Sequence, residues 1–266
     1  AAFAMERMMD AVAAGLGLDR AEVRARNLIP PEKMPYPKRV KNRAGVELTI
    51  DSGNYPRCQA RGLEAIEYAG FAARQARAKQ QGRLIGLGMA HAVKPTGRGP
   101  FESARVRVSG NGRIAVYTGA LAMGQGLKTS LAQVCAEALG VGLDAIDVTT
   151  GDTAYVAGGL GGFASRQAIM AGSAVHLASR VVADKAKRVA AAMLEVAPED
   201  LELKDGRVVI TGVEGRGVAL GDIARKLRGV PGFTLPPGVE PALDATSNFQ
   251  LDVQSFANAF HVCEVE

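Results

Sequence analysis

Between residues 117 and 172 the chain carries two glycine-framed turns, each followed by a helix-forming run. The first turn is Gly124-Gln125-Gly126, with a helix expected to reach about Gly140. The second is the loop 157–165, with a helix expected from about Arg166. Helix N-termini present free backbone N–H groups and a partial positive charge. Two such ends brought together suit an anion with many acceptors, such as a phosphate. Glycine removes the Cβ and lets a ligand approach the backbone. Gln125 can donate and accept at once, which suits the edge of a heterocycle.

Several familiar phosphate and nucleophile motifs are excluded. The run Gly158-Gly159-Leu160-Gly161-Gly162 lacks the Lys-Ser or Lys-Thr of a nucleotide P-loop. After Gly124 and Gly126 no third glycine follows at dinucleotide-fold spacing, and Gly-x-Ser-x-Gly is absent. Cys58, Cys135 and Cys263 form no Cys-x-x-Cys, and His91, His176 and His261 do not pair at metal-ligand spacing. A protein-ligated metal, zinc or iron–sulfur, is therefore not expected. Cys135 falls on the apolar side of its helix and reads as a small core residue, which fits a reducing, cytoplasmic setting. No apolar run reaches the ~20 residues of a membrane span, and no signal peptide is visible. The net charge is +5. Its densest cluster, Lys38, Arg39, Lys41 and Arg43, has no interleaved aromatics for base stacking, so it reads as a solvated loop rather than a nucleic-acid surface.

Along the chain, Met5, Met8, Met9, Val12 and Leu16 form a helical apolar stripe in residues 1–17, expected to face a core. Asp19 and Glu22 resemble a capping box. Residues 29–56, rich in proline, read as a long loop. A helix follows with Pro56 in its first turn, and a domain boundary is placed near Gly82. From residue 84 strands appear. Ala104, Val106 and Val108 alternate with arginines, and Asn111-Gly112 signals a hairpin to Ile114, Val116 and Thr118. Leu131, Val134, Cys135, Ala138 and Leu139 are the inner side of the first loop helix. Ile146 and Val148 form a strand, and Met170, Ala174, Leu177, Ala178 and Val181 are the seam of the second helix. A hairpin around Asp205-Gly206, a short helix at 220–227, an irregular stretch at 231–241 and a strand at 256–265 complete the reading. Strands mixed with helices without strict βαβ alternation argue for an α+β fold. Asp152 reads as an Asx-type turn residue.

The ordered pattern MGQGxxTxxAQxxAExLGV, a strand ending in GDT, and a glycine-rich loop ending in ASR resemble the xanthine dehydrogenase/aldehyde oxidase family. The likeness is to the second molybdopterin-binding domain of its large subunit. It implies that residues 1–82 are the tail of the first molybdopterin-binding domain with its connecting segment, and 83–266 the second domain, truncated at its C-terminus. It also implies a molybdenum–molybdopterin cofactor, plain or as the cytosine dinucleotide, whose metal is held by pterin sulfurs and not by side chains. The cofactor-binding residues implied are Gly124, Gln125, Gly126, Gly162, Phe163, Ala164, Ser165, Arg166 and Gln167. Arg166 could pair bidentately with a phosphate or make a surface salt bridge. Phe101 and Glu102 match a segment near the substrate funnel, although Phe101 also reads as an ordinary strand-entry residue.

The family reaction is oxidative hydroxylation of an aldehyde or N-heteroaromatic, with a glutamate as general base. Iron–sulfur and flavin groups lie on other domains or subunits. No residue of the 266 matches that glutamate's motif, nor the family's upstream glycine-phenylalanine cofactor motif. The expectation is a fragment of an oligomeric large subunit, inactive alone, with iron–sulfur and flavin subunits as partners. The competing readings are a non-catalytic cofactor-binding or subunit-interaction module and a basic nucleic-acid binder.

Overall fold

A computed structural model describes residues 2–41, 45, 47–156, 158–251 and 253–266. Arg43 of the basic cluster and Ala157 of the second loop lie outside the described residues. The chain divides into two compact units, residues 1–96 with 253–266, and residues 97–252.

The first unit begins with α1 (Ala2–Leu16) and α2 (Arg20–Ala25). Asp19 caps α2, its carboxylate accepting from the N–H groups of Ala21 and Glu22. The expected loop 29–56 instead holds a hairpin of β1 (Tyr36–Lys41) and β2 (Glu47–Ile50), with Tyr36 opposite Ile50. Its strands are short and β1 contains Pro37, so pairing rather than local pattern defines them. Then come α3 (Tyr55–Ala65), α4 (Phe71–Gln80) and β3 (Gly86–Thr96). Eleven residues of β3 pair antiparallel with the last strand, β11 (Ser255–Val265), from Gly86↔Val265 to Thr96↔Ser255. That ladder draws β3 into the first unit, so the division between the two compact units falls after Thr96.

The methionine stripe of α1 does not face a core. Met5, Met8, Val12 and Leu16 are exposed, together with Phe3. The helix docks instead through its opposite side, where Ala13 is buried and Glu6 and Asp10 reach the buried guanidinium of Arg24 at 2.7 and 2.9 Å. Specific ion pairs set the helix's rotation here, against its apolar periodicity.

The second unit is built on a four-stranded sheet of β4 (Glu102–Val108), β5 (Ile114–Thr118), β6 (Ile146–Thr150) and β10 (Asp244–Phe249), in the order β10-β4-β5-β6. β10 is too polar to read as a strand from its sequence; its ladder with β4 forms it. β5 and β6 run parallel, joined by α5 (Leu127–Leu139). A five-residue π-helical turn (Gln167–Ala171) leads into α6 (Gly172–Leu194). Ala174, Val175, Ala178, Val182, Ala186 and Val189 of α6 are fully buried against α5 and the sheet. Leu177 and Val181, expected in that seam, point outward. The small alanines let helix and sheet approach closely. Beyond α6 lie β7 (Leu201–Lys204), β8 (Arg207–Ile210) and β9 (Gly217–Ala219), then α7 (Leu220–Lys226). The mixed α+β character read from the sequence is the one observed.

Candidate functional site

The parallel register pairs Thr118 with Thr150, so both glycine-rich loops leave from the carboxyl ends of adjacent strands. In open α/β sheets that edge forms the usual ligand crevice. The loop after β5 reaches α5 through Gly124, Gln125 and Gly126, all exposed. The loop after β6 opens with Asp152, whose Oδ1 accepts from the N–H of Ala154 in an Asx-type turn. It then runs through Gly158 to Ser165 into the π-helical turn.

The two loops touch. The Gln167 side-chain amide donates to the Leu121 carbonyl at 2.6 Å. A Cβ on Gly162 would lie 2.0 Å from Gln167 Nε2 and 2.8 Å from the Met123 methyl carbon, so a side chain there would have to displace both. The backbone at this edge is also strained. Gln125, Ala164 and Ser165 adopt φ of 62°, 49° and 55°. Left-handed conformations cost a residue with a Cβ roughly 1–2 kcal/mol, and such outliers cluster where loops hold ligands. Among the described residues, no acceptor lies in hydrogen-bonding range of the N–H groups of Gly124, Gln125, Gly162, Phe163, Ala164 or Ser165. A row of free amides at helix entries is the donor set that an acceptor-rich anion requires.

Beneath the second loop lies a fully enclosed ion pair. Arg166 and Glu102 side chains have no solvent exposure, and Arg166 Nη1 meets Glu102 Oε2 at 2.5 Å. The same guanidinium donates to the carbonyls of Arg98 and Gly161, each at 2.9 Å, and to that of Phe101. Glu102 also accepts from the N–H groups of Ser103 and Leu160. Gly119 and Gly159 interlock beside it, a Cβ on either coming within 2.4 Å of the other's Cα. The Phe163 ring, half exposed, lies 5.3 Å from the guanidinium carbon. One sequence expectation is corrected by this geometry. Arg166 is not a surface salt bridge, because its buried guanidinium donates to one carboxylate and three carbonyls. The Glu102 carboxylate is closed in by that arginine.

Residues 61–266 match the family model for the molybdopterin cofactor-binding domain. The chain belongs to the molybdopterin cofactor-binding domain family. It is 32% identical over 280 residues to the carbon monoxide dehydrogenase large chain of Hydrogenophaga pseudoflava, covering 100% of this chain and 34% of that one. It is 35% identical to subunit gamma of the 6-hydroxypseudooxynicotine dehydrogenase complex of Paenarthrobacter nicotinovorans, over 84% of this chain and 28% of that one. The crystal structure of quinoline 2-oxidoreductase from Pseudomonas putida 86 superposes with a TM-score of 0.83 at 30% identity, covering 99% of this chain and 34% of that one. The chain thus spans about a third of the length of these relatives.

Among the described residues no cluster of three His, Cys, Asp or Glu could hold a metal ion, and no helix is long and apolar enough to cross a membrane. Cys135 is buried, and burial pushes its thiol up to about 11, so it is an inert core residue. Of the residues named from the sequence, Gly162 and Gln167 meet the Leu121–Met123 stretch directly, and Ser165 accepts from Gly97 N–H through its carbonyl at 3.1 Å. Gly119, Gly159 and the Glu102–Arg166 pairing escaped the sequence reading. Only Glu102 left a signal: it falls in the inward phase of β4 with Ala104, Val106 and Val108.

Proposed function

We propose that the two loops hold a molybdenum-bearing pterin, in a protein that carries out oxidative hydroxylation of an aldehyde or N-heteroaromatic substrate. The contacts proposed are Gly124, Gln125 and Gly126 on the first loop and Gly162, Phe163, Ala164, Ser165 and Gln167 on the second, with Phe101 toward the substrate. Arg166 and Glu102 are kept as supports of the loop. One observation carries the reading: adjoining left-handed loops with unpaired amides, in a chain whose residues 61–266 match the molybdopterin cofactor-binding domain. The donor set fits the group, since backbone amides and the Gln125 carboxamide can satisfy phosphate and pterin edges without a charged ligand. When bound, the group supplies redox chemistry at an electron-poor carbon. The protein's own part is to grip it from one flank, exclude water and orient it. The cytosine dinucleotide form, iron–sulfur and flavin partners, an oligomeric assembly and a cytoplasmic setting belong to the same proposal. So does the absence of turnover by this chain alone.

Titration of the purified chain with free molybdenum cofactor, followed by pterin fluorescence, tests the reading. Saturable binding near one cofactor per chain is expected. Gln125→Ala should weaken it about fivefold, the loss of one hydrogen bond. No saturable binding by a folded chain would overturn the assignment.

A further inference from the structure

Resting on that reading, we infer that Glu102 and Arg166 are positioning residues, a buried latch that sets both the 97–102 segment and the 158–165 loop in their cofactor-ready form. An arginine and a glutamate removed wholly from water are expensive unless every donor and acceptor finds a partner. Apolar residues of similar volume would serve a purely structural purpose at least as well. Here the fork of Arg166 reaches four acceptors contributed by two backbone segments: Arg98 and Phe101 on one side, Glu102 at the mouth of β4, and Gly161 on the second loop.

Glu102 answers by accepting from Leu160 N–H on the same loop. Gly97 N–H donates to the Ser165 carbonyl, and the Gly119–Gly159 interlock admits no Cβ. All of these contacts converge on the strained stretch that ends in Ala164 and Ser165. Among the described residues the N–H groups of Gly162, Phe163, Ala164 and Ser165 have no acceptor, so something else must hold their backbone open. The latch does so without touching the ligand. It also makes the Phe101 segment and the cofactor loop one mechanical piece, so that a shift of either is transmitted to the other.

Arg166→Lys tests this, because lysine keeps the positive charge beside Glu102 but cannot span the three carbonyls with a planar fork. Amide hydrogen exchange is measured on the chain with no cofactor added, and pterin fluorescence is titrated separately. The expected result is exchange about tenfold faster in residues 158–165, where one or two charge-assisted hydrogen bonds are lost. The sheet β4–β5–β6 and helix α5 should be unchanged, and cofactor affinity should fall by a similar factor. A second variant, Glu102→Leu with Arg166→Met, removes both charges and leaves none unpaired. It should fold and show the same selective loosening. Unchanged loop exchange in both variants overturns the latch. So does equal acceleration across loop and sheet with a lowered melting temperature, which is the mark of a merely structural pair. Failure of the wild-type chain to take up cofactor overturns the cofactor reading, while the exchange result still judges the latch.

Discussion

Single residues decide this site through the space they leave as much as through the groups they bring. Gly159 has no room for a Cβ, since the Gly119 backbone stands 2.3 Å away and cannot move aside. Gly159→Ala is expected to cost about 1–3 kcal/mol, the range for overpacking a tight core. Gly172, with open space around it and helical backbone, is the contrast. Gly172→Ala should raise stability by up to about 1 kcal/mol from helix propensity alone. Denaturant midpoints of the two variants should move in opposite directions. The sequence marked both loops because glycine punctuation and helix entry are local signals. It could not mark Arg166 as buried, since the partner that shelters it lies 64 positions away. Charge read without that partner looks like surface.

Elements were legible where their pattern was self-sufficient. The β4–β5 hairpin, α5 with its left-handed Gly140 cap, and the β7–β8 hairpin all carry their own turn or cap chemistry. β1, β2 and β10 do not, and each exists because a partner strand completes it. The rotation of α1 is the sharpest case, because Arg24 overrides a five-residue apolar stripe. That ionic cluster extends to His91, whose backbone N–H donates to Glu6 and whose Nε2 is hydrogen-bonded to Gln59 Oε1 at 2.8 Å. Burial depresses the His91 pKa, with the nearby Arg24 acting in the same direction and Glu6 opposing them. A depressed histidine takes up its proton more readily when unfolded. Its contribution is therefore complete above the ordinary value of 6.5 and is lost as pH falls through that value toward the folded one. The stability difference between the wild-type chain and His91→Gln should shrink as pH is lowered from about 7 to about 5. A difference independent of pH would show that the His91 pKa is the same in the folded and unfolded states.

At the scale of the whole chain, the principal apolar cluster is drawn entirely from residues between Ala104 and Leu243. A polypeptide of residues 97–252 alone is accordingly expected to melt cooperatively and to keep the full chain's exchange protection in β4–β6 and α5. Gradual, non-cooperative melting would refute this. The division of units after Thr96 was hidden from sequence because the strand that pairs with β3 lies far along the sequence from it.

That same ladder has a consequence for synthesis. Thr96 and Ser255 are 159 positions apart. Closing so long a span adds little entropy penalty per further residue but delays the pairing. As the polypeptide emerges from the ribosome, β3 stands with a bare rim until residues 255–265 arrive. Lys94 and Pro95 sit in β3, and a charge and a proline on a waiting edge are the features that keep it from recruiting a neighbouring nascent chain.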